Sequence, residues 1–177
     1  MADIHSELGK LANPAKAKVL SRFFKTGPGE YGEGDVFLGI QVPKTREVAK
    51  RHFKIPFKDV AILLKSKIHE ERLAALLLLV HKYDVGHAEE KENVYNFYLK
   101  NAGYVNNWDL VDRSADKIVG KHLMDRSKKI LYKLAESDNL WKRRIAIIST
   151  FHFIKNNKFN DALKISEILL SDKHDLI

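Results

Sequence analysis

The chain has no cysteine. That excludes a disulfide framework, a thiol nucleophile and a cysteine-ligated zinc or iron–sulfur site. It has no long apolar run. The longest, Leu73 to Val80, is eight residues, far short of the roughly 20 that a membrane span needs. The stretch from Met1 to Lys10 is charged and lacks the apolar segment of a secretory signal. The eight histidines are scattered and none falls in an H-x-x-x-H or HExxH arrangement, so no metal site is expected. No Ser–His–Asp pattern has supporting context. The glycine-rich stretch Gly27 to Gly34 carries Glu30 and Glu33 and lacks a GKS or GKT end. It therefore reads as a loop and not as a phosphate cradle.

Of the 177 residues, 45% are hydrophobic and 31% charged, a globular composition. The length suits a single domain, residues 1–177, with a real core. Lys and Arg number 31 against 23 Asp and Glu, a net charge of +8. A surplus of this size favours a polyanionic partner, of which nucleic acid is the commonest. Residues 101–150 hold 10 of the basic and 6 of the acidic residues, and so half of the surplus.

The pattern is helical almost throughout. Pro14, Pro43 and Pro56 each stand where a helix would open. Helices are expected near 69–84, 88–101, 107–122, 126–136, 140–156 and 159–171, separated by turn signals at Gly86, Gly103, Ser137-Asp138-Asn139 and Asn156-Asn157. Val36 to Ile40 is briefly strand-like but has no partner strand. The fold class is all-α.

An internal repeat is visible. Arg72-Leu73-Ala74-Ala75-Leu76 matches Arg144-Ile145-Ala146-Ile147-Ile148 at an offset of 72 residues, and Trp108-Asp109-Leu110-Val111-Asp112 falls midway. Helix pairs at that half-period of 36 describe an α-solenoid of HEAT-like pairs, somewhat below the usual period of about 40–47. Its handedness is open, and a plain helical bundle is the alternative. Stacked repeats would set Arg72, Trp108 and Arg144 in one row. Two arginines do not sit together in an apolar core, so the row is expected on the surface, where guanidinium groups grip phosphate and an indole offers its face to a base or cation. Asp112, one helical turn beyond Trp108, shares its face. The alternatives are that Trp108 is a core residue and that Asp112 pairs with a basic residue of a neighbouring helix.

The run Asn106-Asn107-Trp108-Asp109-Leu110-Val111-Asp112 resembles the central motif of the AlkD-like DNA alkylation-repair glycosylases. Leu38-Gly39-Ile40-Gln41-Val42-Pro43-Lys44-Thr45-Arg46 is similar to the family's N-terminal segment, and Trp141-Lys142-Arg143-Arg144 to a later helix start. The resemblance implies HEAT-like helical pairs and removal of cationic N3- and N7-alkylated purines from duplex DNA, with no cofactor and no enclosing base-flipping pocket. It implies Asp112 as the catalytic carboxylate, Trp108 beside the lesion's deoxyribose and Arg144 on the nearby backbone. Gln41 and Arg46 fall in a segment near the DNA. Apart from the resemblance, Arg72, through the row alone, and Arg143, through the basic helix start, are further candidates for backbone contact. With no targeting signal and no membrane-length apolar run in the sequence, the expected location is cytoplasmic, associated with the nucleoid when bound to DNA.

Family members continue past the equivalent of Ile177 with further helices and a second tryptophan. The C-terminal repeat is therefore expected to be missing, with self-association through the exposed edge. A non-catalytic DNA-binding HEAT module and a protein-interaction solenoid are the alternative functions.

Overall fold

A computed structural model describes residues 2–177. The chain is all-α, with helices following one another in the manner of an α-solenoid. In order they are α1 (Ala2–Lys10), α2 (Pro14–Phe23), α3 (Val42–Arg51), α4 (Phe57–Leu64), α5 (His69–Val85), α6 (Ala88–Lys100), α7 (Trp108–Asp112), a π-helical turn (Asp116–Gly120), α8 (Lys121–Leu123), α9 (Lys129–Ala135), α10 (Leu140–Ile154) and α11 (Asn160–Leu169). Two compact units divide it, residues 1–82 and 83–177, and the division falls within α5.

In the first unit α1 packs against α3. Ile4 and Leu8, one turn apart, are buried. Glu7 on the same helix binds Arg51 Nη2 at 2.9 Å and His52 Nε2 at 2.7 Å, closing the end of α3. Composition alone marked no helix here, because the segment offers few apolar positions.

Thr26 to Gly34 forms successive turns, as its glycines require. The strand-like Val36 does find a partner. Its N–H donates to Lys67 O at 2.9 Å and its carbonyl accepts from His69 N at 2.8 Å, an isolated bridge to the turn before α5. Among the described residues no strand longer than this forms.

The Leu38-Gly39-Ile40 turn is held by one buried carboxylate. Glu70 accepts from the three successive amides at 2.9, 2.8 and 3.1 Å. Gly39 has φ +81°, and a Cβ there would stand 2.3 Å from Asn13 O and 2.6 Å from Ala17 N, at the start of α2. Strain and overlap act together, so Gly39→Ala is expected to cost about 3 kcal/mol. Denaturant midpoints of the two proteins test this, and an unchanged midpoint would refute the close approach.

In the second unit α10 is the central element, packed against α7, α9, α11 and the π-helical turn. It buries Trp141, Ile145, Ala146, Ile148, Ser149 and Phe153. The helix expected over 107–122 is interrupted. Its chain turns after Asp112 and resumes as the π-helical turn, where Gly120 lies directly on α10. A Cβ at Gly120 would be 2.2 Å from Ser149 O. Widening the helix by one residue lets the backbone fit against that carbonyl.

Candidate functional site

α7 is only five residues long, opened by Asn107 in extended conformation. Such a helix holds itself poorly, since few of its hydrogen bonds are internal, and its neighbours must fix it. Trp108, its first residue, is half-buried, neither a core residue nor a free surface one. Asp109 is buried. Asp112, its last residue, keeps a third of its side chain exposed, 33%.

α10 is capped by Asn139, whose side-chain oxygen accepts from Trp141 N at 3.0 Å and Lys142 N at 3.1 Å. Arg143 and Arg144 follow within the first turn. A guanidinium there meets the positive end of the helix dipole, which disfavours it. Each arginine is met by a carboxylate. Arg144 Nε donates to Asp112 Oδ1 at 2.8 Å and Nη2 to Oδ2 at 2.7 Å, the two-pronged geometry of a fork on a carboxylate. Its Nη1 donates to the carbonyl of Leu176. Arg143 Nε donates to Asp172 Oδ2 at 2.6 Å, and its Nη1 donates to the carbonyls of Ser137 and Asp138. The bond from Arg143 holds the Asp172 carboxyl below its ordinary range, against a smaller opposing effect of burial.

Asp112 and Arg144 are thus brought together by the fold. This is the pairing with a neighbouring helix left open above, and the partner is itself one of the candidate site residues. Arg143 has its donors engaged within the chain and ties the segment after α11 to the start of α10. Gln41, which opens α3, and Arg46 within it are exposed. Both belong to the first unit.

Arg72 corrects the expectation of a surface row. It is 4% exposed, with Nη2 at 2.6 Å from Asp35 Oδ2 and Nη1 donating to Ser66 O at 2.8 Å. A buried cation needs a buried partner, and Asp35 supplies it. Burial alone would raise the Asp35 carboxyl, but the His69 hydrogen bond and the Arg72 charge outweigh it and hold it below its ordinary value. Arg72 has no guanidinium to offer a phosphate.

Sequence reasoning missed Tyr98 and Ser114. Tyr98 on α6 is 1% exposed, and its hydroxyl lies 3.0 Å from Ser114 Oγ. A tyrosine on a helix's buried face carries no signal beyond core packing. Burial raises the Tyr98 pKa. The hydrogen bond to Ser114 opposes this, and the nearby charges of Asp116 and Asp112 add to it. Beyond α7, Asp116 is held below its usual range. Its burial acts the other way but is outweighed by Lys117 and Lys155, whose ammonium groups lie 2.8 and 3.0 Å from its oxygens.

Among the described residues no three His, Cys, Asp or Glu side chains stand together so as to hold a metal ion, and no helix is long and apolar enough to cross a membrane. No curated protein matches the chain. A solved structure titled "predicted DNA alkylation repair enzyme", from Enterococcus faecalis, superposes with a TM-score of 0.66 at 17% identity. The match covers 93% of this chain and 77% of that one. At that identity the likeness speaks for the fold. The family model described as DNA alkylation repair enzyme matches residues 4–177, nearly the whole chain, and the protein belongs to that family.

Proposed function

We propose that this member of the family is a DNA N-glycosylase that releases cationic N3- and N7-alkylated purines from duplex DNA, with Asp112 as the catalytic carboxylate. The observation that carries the reading is the Asp112 carboxylate, partly exposed on the short α7 that also carries Trp108, and held in one orientation by Arg144. The fork occupies two of a carboxylate's roughly four acceptor directions. The remaining ones are free to take a water.

An alkylated purine is cationic, so its bond to the deoxyribose is already weak. As that bond breaks, its electron pair goes to the base and neutralises it, and positive charge develops on the sugar. A fixed carboxylate stabilises that charge and accepts a hydrogen bond from the attacking water, which adds to the anomeric carbon and gives up its proton to the surrounding solvent. The Trp108 face adds attraction for the electron-poor sugar. Such a site selects by lability of the glycosidic bond, so neutral lesions are poor substrates. Gln41 and Arg46, exposed on the first unit, are proposed as phosphate contacts.

The test is release of free base from duplex DNA containing 7-methylguanine, with spontaneous loss subtracted. Asp112→Asn keeps the shape of the site and is expected to slow release by roughly 10²–10³-fold, the usual scale for one aligned electrostatic partner. Equal rates for the two proteins would remove Asp112 from the chemistry. A second reading, a DNA-binding module without catalysis, is favoured by one observation: Arg144 already neutralises the Asp112 carboxylate. It predicts salt-sensitive binding with no base release by the wild type.

A further inference from the structure

Asp112 ends a five-residue helix, and the chain turns immediately after it. Something outside α7 must set the direction of its side chain. The buried hydroxyl of Tyr98 is placed to do so. Ser114 Oγ donates its single proton to Leu110 O at 2.6 Å. The Tyr98 hydroxyl, 3.0 Å from Ser114 Oγ, must then be the donor in that contact. The chain of bonds runs from α6 through Ser114 to Leu110, so it grips the backbone on both sides of Asp112. Ser114 is 0% exposed and Tyr98 is 1% exposed, and water does not compete with either bond.

We propose that Tyr98 is a positioning residue. Through Ser114 it fixes the last turn of α7 so that the Asp112 carboxylate stays seated on the Arg144 fork. Resting on the glycosylase reading, this assigns Tyr98 a part in the reaction without contact with the DNA. Arg144 orients the carboxylate from the front, and the Tyr98–Ser114–Leu110 relay holds the backbone behind it. Loss of the relay leaves the ion pair possible but no longer unique in geometry.

The test compares wild type, Tyr98→Phe and Ser114→Ala. Tyr98→Phe removes one oxygen and leaves Ser114 bonded to Leu110, so the fold is retained. Hydrogen exchange at the Arg144 Nε–H, followed by ¹⁵N NMR, reports the seating directly. The Arg143 Nε–H, paired with Asp172 in the same turn of α10, is the internal reference. In both variants Arg144 exchange is expected to quicken at least severalfold while Arg143 is unchanged. Single-turnover base release is expected to fall roughly tenfold, since misplacement of a reacting group well below 1 Å has effects of this order, with DNA affinity within about twofold of wild type. The double variant should be no slower than Ser114→Ala, because Tyr98 acts through Ser114. Unchanged Arg144 exchange overturns the proposal, and so does an equal change at Arg143, which would mean general loosening. If the wild type releases no base, the glycosylase reading fails by itself. The exchange measurement still decides the positioning role.

Discussion

Arg72→Ala is expected to destabilise the protein by about 3–5 kcal/mol, the usual effect of removing one member of a buried ion pair. For a chain of this length that is a fall in Tm of roughly 10 °C. The reason is Asp35, whose carboxylate is 7% exposed and loses its strongest partner. His69 remains, with Nδ1 at 3.3 Å, but it is 2% exposed and packed at 4.5 Å against the ring of Phe37. It cannot replace a full cation without being charged in an apolar setting. The effect has a pH signature. In wild type the Asp35 pKa is depressed, so its contribution is fully present above the unfolded value of about 3.9 and is lost as the pH falls through the folded value. Removing Arg72 takes away part of the depression and leaves the part due to the His69 hydrogen bond. The stability difference between wild type and variant should therefore be constant at neutral pH and shrink below about pH 4. Thermal melts of both proteins across pH 3–7 measure it. A variant as stable as wild type but impaired in DNA binding would restore Arg72 to the surface role that its burial denies.

Arg144→Ala should slow base release by roughly 10²-fold while changing DNA affinity much less. This follows if the guanidinium acts mainly by orienting Asp112, since positioning effects appear in the rate and not in binding. Arg144→Lys should rescue poorly, because a single ammonium cannot reproduce two parallel bonds to one carboxylate. The double variant Asp112→Asn with Arg144→Ala should be no slower than the worse single variant, as for two groups acting as one unit. Single-turnover release and equilibrium binding at two salt concentrations separate the effects. A large loss of affinity with a reduced salt dependence, and an unchanged rate at saturation, would instead make Arg144 a phosphate contact.

The pair at the centre of these tests was half legible in the sequence. The repeat placed Arg144 in register with Trp108, and the motif marked Asp112 one turn further on. The structure joins Arg144 to Asp112 across 32 residues of chain, an offset one turn shorter than the repeat. A periodic pattern finds the helices that stack, but their axial slide depends on the side chains between them. Here Gly120 lets the π-helical turn settle against Ser149. Arg72 occupies the same repeat position and meets a different fate. Asp35, in the loop before α3, reaches it from a part of the chain that no repeat describes.

What the amino-acid sequence determined by itself was the local and the periodic: helical class, most helix boundaries, the loop at Thr26–Gly34, and the three motif segments that carry the family resemblance. These follow from side-chain spacing and from proline and glycine, whose effects act within a few residues. Only the tertiary structure decided which charges are buried, which carboxylate meets which arginine, and that Glu70 gathers the amides of Leu38, Gly39 and Ile40. Those outcomes depend on groups far apart in the chain meeting where water is excluded. There the penalty for an unpaired polar group selects one partner among many.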